Sequence, residues 1–228
     1  MNKIPILSIK NVSNTYTDRT AGIFGKKEIK QVLNNINMEL QAGEIFGLTG
    51  SSGCGKTTLA RCITGMVDYS GEILIAGQKE KTPLLAQLIF QDTGGSLNPA
   101  KKIGWLMEEP LVIHRLGERE ERIAMVDEML VNVGLDPSYK KRHVNELSGG
   151  QKQRVCIGRA LILKPRLLIA DETISSLDVS TGAQILNLFR ELHKNLGLSI
   201  LFISHNTGAV EYLCSRAAVM RNGSLEQT

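Results

Sequence analysis

Aromatic side chains make up only 4% of the 228 residues, with a single tryptophan. So thin a supply excludes the rows of stacked rings that grip single-stranded nucleic acid. Long apolar runs are missing too. The longest, such as "LLIA" and "ILFI", are strand-sized and far short of the ~20 residues of a membrane span. The opening stretch "MNKIPILSIKNVSNTY" carries no apolar core of a signal peptide. Repeats, low-complexity tracts and proline-rich linkers are absent. The four cysteines, Cys54, Cys62, Cys156 and Cys214, are never paired at metal-ligand spacing, which reads as reduced thiols. Charge is nearly balanced, at 27 basic and 23 acidic residues for a net +4, which permits acidic partners without requiring one. The expectation is a cytosolic chain, held at a membrane only through another protein.

What is present is ordinary for a globular protein: 42% hydrophobic and 22% charged residues, enough for one domain with room for an inserted subdomain. The opening third reads as strand and turn, in "ILSIKNV", "QVLNNINMEL", "EIFGLTG" and "GEILIAG". From about Pro99 to Asn145 the pattern becomes helical and charged, with Val126, Met129, Leu130 and Val133 at helical spacing and "EREER" as a solvated face. Then come a helix from Gly150, a strand "RLLIAD", a helix "TGAQILNLFRELHKNLG" and a strand "SILFIS". Strands that are apolar throughout and alternate with helices predict an α/β fold with a parallel sheet covered on both faces.

The run "GSSGCGKTT", Gly50 to Thr58, follows a strand and opens a helix, and it fits the phosphate-loop pattern. In Gly50, Ser51, Ser52, Gly53, Cys54 and Gly55 the glycines let backbone N–H groups converge on phosphate oxygens, with the positive helix end behind them. Lys56 supplies charge to the β- and γ-phosphates, Thr57 a hydroxyl for Mg²⁺, and Thr58 completes the nucleotide-binding run. Cys54 is either a small residue that fits the turn or a thiol made reactive by the helix end. The strand "RLLIADE" ends in two acids. Asp171 is placed to hold Mg²⁺ through water and Glu172 to polarise an attacking water.

"NELSGGQKQRVCIGRAL", residues 145 to 161, poses a puzzle. Ser148 and Gln151 have the spacing of a helix capping box. Yet Gly149 and Gly150 stand where a helix gains more from alanine or glutamate. Either the entry turn is flexible or something must come close to the backbone.

Together these stretches resemble the ATP-binding-cassette (ABC) ATPases over essentially the whole chain. "GSSGCGKTT" is similar to their Walker A, "LLIADE" to Walker B with its catalytic glutamate, and "LSGGQ" to the signature motif. Gln91 in "FQD" matches the Q-loop glutamine that reaches Mg²⁺ and the membrane partner. "SSLD", Ser175 to Asp178, matches the D-loop, His205 in "FISH" the switch histidine, and Tyr16 the aromatic that stacks on adenine. "FQDTGGSLNP", "SSLDVSTGAQILNLF" and the "GIFGKKE" insertion resemble stretches of the peptide, dipeptide and nickel importer ATPases. Thr93, Thr173 and Asn206 depart from the proline, proline and aspartate usual at those places, and "RNGSLEQT" stands where importer ATPases usually continue.

The resemblance implies a phosphate-loop NTPase core with a parallel sheet, an N-terminal antiparallel β subdomain and a helical subdomain at about 92–163 that includes the signature helix. It implies an ATPase using ATP and Mg²⁺, dimerised head to tail with an identical or similar ATPase chain. Ser148, Gly149, Gly150, Gln151 and Asp178 would face the partner's nucleotide. Further implied partners are two membrane permease subunits and an extracytoplasmic solute-binding protein, with the chain at the cytoplasmic face of the membrane and importing peptides, nickel or a similar small solute. An exporter ATPase, or a cassette acting on nucleic acid or ribosomes, is the alternative.

Overall fold

The computed structural model describes residues 4–18, 28–79, 81–91 and 93–226. Residues 22–27 of the "GIFGKKE" stretch and Asp92 of "FQD" lie outside the described residues.

The chain opens with β1 (Leu7–Asp18) and β2 (Glu28–Leu40), followed by β3 (Ile45–Gly50), α1 (Lys56–Ile63), β4 (Ser70–Ile75) and β5 (Ala86–Ile89). Then come α2 (Thr93–Ser96), α3 (Ile103–Ile113), α4 (Arg119–Asn132), two 3-10 turns (Pro137–Lys141 and Val144–Glu146) and α5 (Gly149–Leu161). β6 (Leu167–Asp171), α6 (Val179–Leu196), β7 (Ser199–Ile203), α7 (Thr207–Leu213), β8 (Arg216–Arg221) and β9 (Ser224–Glu226) complete it. β2, β1 and β4 form an antiparallel sheet. The second sheet runs β5-β6-β7-β3-β8-β9, parallel except for the terminal β8–β9 hairpin.

The apolar runs explain this arrangement. Every residue of β6 and β7 is buried, as strands covered on both faces must be. Alternate residues serve different cores. Leu168, Ala170, Ile200 and Phe202 pack with α3, α4, α5 and α6, whereas Leu167, Ile169, Leu201 and Ile203 pack with α1 and the antiparallel sheet. Val126, Met129, Leu130 and Val133 are all buried in the first of these cores, as their helical spacing predicts. α4 is held at its start by the Glu121 carboxylate, which accepts from the Glu118 amide at 2.8 Å. α6 begins on the Asp178 side chain, which accepts from the Thr181 amide, and stops at Gly197 with φ 63°.

Three features go beyond the sequence-based expectations. β5 is only four residues long, α7 only seven, and β8 mixes buried, half-buried and exposed positions. Their signals are too short or too mixed to stand out against loop.

The parallel strands β3, β5, β6, β7 and β8 all end at one edge, where ligands of open α/β sheets bind. Among the described residues no helix is long and apolar enough to cross a membrane.

Phe202 is fully buried and meets Phe189 edge-on, with ring centroids 6.1 Å apart. Phe202→Ala is expected to cost about 3–5 kcal/mol in denaturant unfolding. The thiols follow the same burial. Burial pushes Cys62 up to about 11 and Cys214 up to about 12. At pH 8 fewer than about one in a thousand of either is thiolate. Iodoacetamide should spare both in the folded protein and label both in denaturant, as read by mass spectrometry.

Candidate nucleotide site

The phosphate loop begins where β3 runs out. Gly50 has φ 149°, and a Cβ there would sit 2.3 Å from the Met220 carbonyl oxygen of the adjacent β8. Gly53 has φ 77° and nothing within 4 Å of a Cβ, so its backbone faces open space. Lys56 is 6% exposed, and its Nζ donates to the Gly50 and Ser51 carbonyls at 2.8 and 3.0 Å. The ammonium is thus pinned over the loop that its own chain forms. α1 starts at Lys56 with no side-chain cap and no acid in its first turn, leaving its N–H groups and positive end available to an anion. Cys54 is buried, with its Sγ 3.9 Å from Lys56 Nζ and filling space beside Gly50. That is the behaviour of a small residue fitted to the turn.

The loop is also strapped from behind. Gly223, in the turn between β8 and β9, donates its amide to the Cys54 carbonyl at 3.0 Å and accepts from the Asn34 amide of β2 at 2.7 Å. Asn222 and Gly223 have φ 46° and 77°, and a Cβ on Gly223 would meet the Val32 carbonyl at 2.4 Å. Nothing in the motifs points to this strap, although an Asn-Gly pair between strand-like segments is itself a strong hairpin signal.

Across the sheet, Asp171 ends β6 at 2% exposure. Burial pushes its carboxyl up from the usual carboxylate range, while a hydrogen bond from Thr57 and the charge of Lys56 pull the other way. Asp171 Oδ1 is buried and unpartnered among the described residues. An orphaned carboxylate oxygen beside a threonine hydroxyl is a donor set that suits a hard divalent cation.

Glu172 has φ 51°, a left-handed conformation uncommon for a residue with a side chain. Three contacts hold it there. Its amide donates to the Ile203 carbonyl at 2.9 Å, its carbonyl accepts from Ser175 Oγ at 2.9 Å, and its carboxylate stands 2.7 Å from His205 Nδ1. The imidazole N–H donates to that carboxylate. Gln91, just past β5, reaches the same group indirectly, its Nε2 donating to Ser175 Oγ at 3.4 Å. Ser175 therefore joins the Q-loop to Glu172, a link that no spacing rule reveals. Of the departures, Asn206 caps α7 by accepting from the Ala209 amide at 3.0 Å, as an aspartate would. Thr93 opens α2. Thr173 is buried with its hydroxyl unpartnered among the described residues, and nothing in the structure explains it.

Tyr16 lies on β1 at 39% exposure, opposite Lys30. Two residues before it, Asn14 pairs with Leu33, whose side chain lies 3.0 Å from where a Gly55 Cβ would be. Register thus puts Tyr16 on the strand whose neighbour packs on the phosphate loop, two residues beyond the Asn14–Leu33 pair.

The second glycine-rich stretch forms the capping box its sequence suggests. Ser148 Oγ accepts from the Gln151 amide at 3.3 Å, and the Gln151 side chain accepts from the Ser148 amide at 3.0 Å. Gln151 Nε2 also donates to the Tyr139 hydroxyl at 3.0 Å. Its glycines rest on the D-loop side of the molecule: built Cβ atoms on Gly149 and Gly150 would lie 3.7 Å from Leu177 and 2.5 Å from Thr181. Among the described residues no hydrogen bond joins Ser148, Gly149, Gly150 or Gln151 to the phosphate loop.

Residues 33–175 match the family described as ABC transporter. A protein of Brucella ovis named as a peptide import ATP-binding protein is 37% identical over 235 residues, covering 99% of this chain and 72% of that protein. The glutathione import ATP-binding protein GsiA of Pectobacterium atrosepticum is 38% identical over 97% of this chain and 37% of its own length. Among solved structures, a dimeric ATP-binding cassette in a post-hydrolysis state bound to ADP and Pi superposes with a TM-score of 0.82 at 28% identity, over 97% of both chains. The cbiO1 chain from Clostridium perfringens, part of an ABC transporter complex, gives 0.83 at 26% identity over 97% of this chain and 87% of that one. The chain belongs to the ABC transporter family and is an ATP-binding cassette ATPase.

Proposed function

We propose that this ATPase drives import of peptides or a similar small solute through separate membrane permease subunits, fed by an extracytoplasmic binding protein. Its place is the cytoplasmic face of the membrane, reached through those subunits. The relatives named for peptide and glutathione import support this cargo class. A docking surface is at hand beside Gln91. Phe90, Pro110, Ile113, His114 and Arg159 line a groove there, and Ile113 is 67% exposed.

In the chemistry proposed, the loop from Gly50 to Thr58 wraps the phosphates and Lys56 swings its charge from the loop carbonyls to the β- and γ-phosphates. Tyr16 stacks on adenine. Thr57, Asp171 and Gln91 would hold Mg²⁺, which would neutralise phosphate charge; the orphaned Asp171 Oδ1 supports that assignment. Glu172 orients water for attack on the γ-phosphorus, and the bond to the bridging oxygen breaks to leave ADP and phosphate. His205, already hydrogen-bonded to Glu172, fixes the carboxylate and meets the γ-phosphate. Positioning and charge stabilisation do nearly all the catalysis.

One observation supports a two-chain reading. Ser148, Gly149 and Gly150 start a second helix, and among the described residues no hydrogen bond ties that start to the chain's own phosphate loop. We assign that helix start, with Gln151 and Asp178, to the nucleotide of a second ATPase chain packed head to tail.

Glu172→Gln keeps the shape of the site but loses the charge that holds water. Its steady-state turnover should fall about 100-fold or more, and ATP should trap it as a dimer in size-exclusion chromatography. Full turnover would remove Glu172 from its role. Ser148→Arg should leave ATP affinity of its own chain within about twofold while abolishing hydrolysis at the partner's site. Equal loss of both, measured by nucleotide titration and phosphate release, would reduce Ser148 to a helix cap.

A further inference from the structure

Thr181 stands where α5 and α6 begin side by side, and each branch of its side chain is committed. Its Oγ1 donates to Asp178 Oδ2 at 2.7 Å, and its amide donates to Asp178 Oδ1 at 2.9 Å. Ser180 Oγ adds a third hydrogen bond to the same carboxylate at 2.8 Å. With the hydroxyl fixed, the methyl is fixed too, because both sit on one β-carbon with few allowed rotamers. That methyl, Cγ2, lies 2.5 Å from where a Gly150 Cβ would be. Rotating it away would carry the hydroxyl off Asp178. Gly150 is thus bare for a reason inside its own chain: the space a side chain would take belongs to Thr181.

We propose that Thr181 is a positioning residue that locks the signature helix to the D-loop aspartate, so that Ser148 and Asp178 move as one unit. Leu177 against Gly149 adds a second, looser contact to the same joint. Beside it Val179 is 91% exposed, so the joint lies at the surface. The inference rests on the two-chain reading above. It adds that the surface offered to the partner's nucleotide is a rigid corner made from two motifs. The carboxylate that anchors it is held firmly ionised, since its hydrogen bonds, those from Thr181 first, lower Asp178 to about 2.

The test separates the two branches. Thr181→Val keeps the methyl against Gly150 and deletes the donor to Asp178. It should bind ATP and melt like the parent, yet hydrolyse about tenfold more slowly, because the corner is no longer held in register with the partner's phosphates. Thr181→Ser, which restores the hydroxyl, should recover most of that rate. A folded Thr181→Val with the parent's rate overturns the proposal. If Thr181→Val does not fold, the pair Gly150→Ala and Gly150→Ala with Thr181→Ser decides. Removing the methyl should relieve the collision and raise the melting temperature that Gly150→Ala alone lowers, and no recovery of melting temperature overturns the joint. Failure of the two-chain reading shows separately, as a Glu172→Gln chain that stays monomeric in ATP.

Discussion

Leu48, Ile203 and Asp171 lie side by side across three parallel strands, and this register decides where the chemistry can be. Beyond Leu48 the chain reaches the phosphate loop within two residues. Beyond Ile203 it reaches His205, and beyond Asp171 it turns at once to Glu172. Backbone bonds carry the alignment past the strand ends, from the Ser204 amide to the Leu48 carbonyl and from the Glu172 amide to the Ile203 carbonyl. A slip of one residue in β6 would exchange its two faces. The side chains facing the helices would then meet the antiparallel sheet, and Asp171 would leave Thr57. Two dry cores, one on each side of the sheet, forbid that slip.

On this frame the site holds conformations that a free chain avoids. Glu172 sits in the left-handed region at a cost of roughly 1–2 kcal/mol, and Lys56 keeps its charge nearly out of water. Both are stabilised locally, Glu172 by His205, Ser175 and the Ile203 carbonyl, Lys56 by the loop carbonyls. The Gly223 strap completes the enclosure by tying the loop to β2, and hence to the strand that pairs with Tyr16. The β1–β2 pair and the phosphate loop are therefore not independent parts. They meet at one hairpin turn near the end of the described chain.

How much of this was legible in the sequence depended on how local the chemistry is. Wrapping phosphate with backbone N–H groups demands glycine, lysine and threonine at fixed spacing, so Gly50 to Thr58 could be read directly. The buried strands ending in Asp171 and Ile203 announced themselves as short apolar runs. The joints between motifs could not be read, because they link residues far apart along the chain: Gln91 with Ser175, Gly223 with Cys54, Gly150 with Thr181. Gly150 is the instructive case. In the sequence it looks like backbone left bare for a phosphate; the structure adds a methyl of its own chain that needs the same room. β5 was missed for a different reason, since four residues carry too little periodicity to distinguish a strand from a loop.

On the proposed two-chain reading, the cap at Ser148 and the cradle at Gly50 belong to two different sites, each completed by a second chain. The measurement that bears on this most directly is ATP turnover per chain across a dilution series of the purified protein. If the hydrolytic site is completed only by a second chain, turnover per chain falls toward zero on dilution. A constant, non-zero turnover per chain down to the lowest concentration would mean that one chain is enough, and would contradict it.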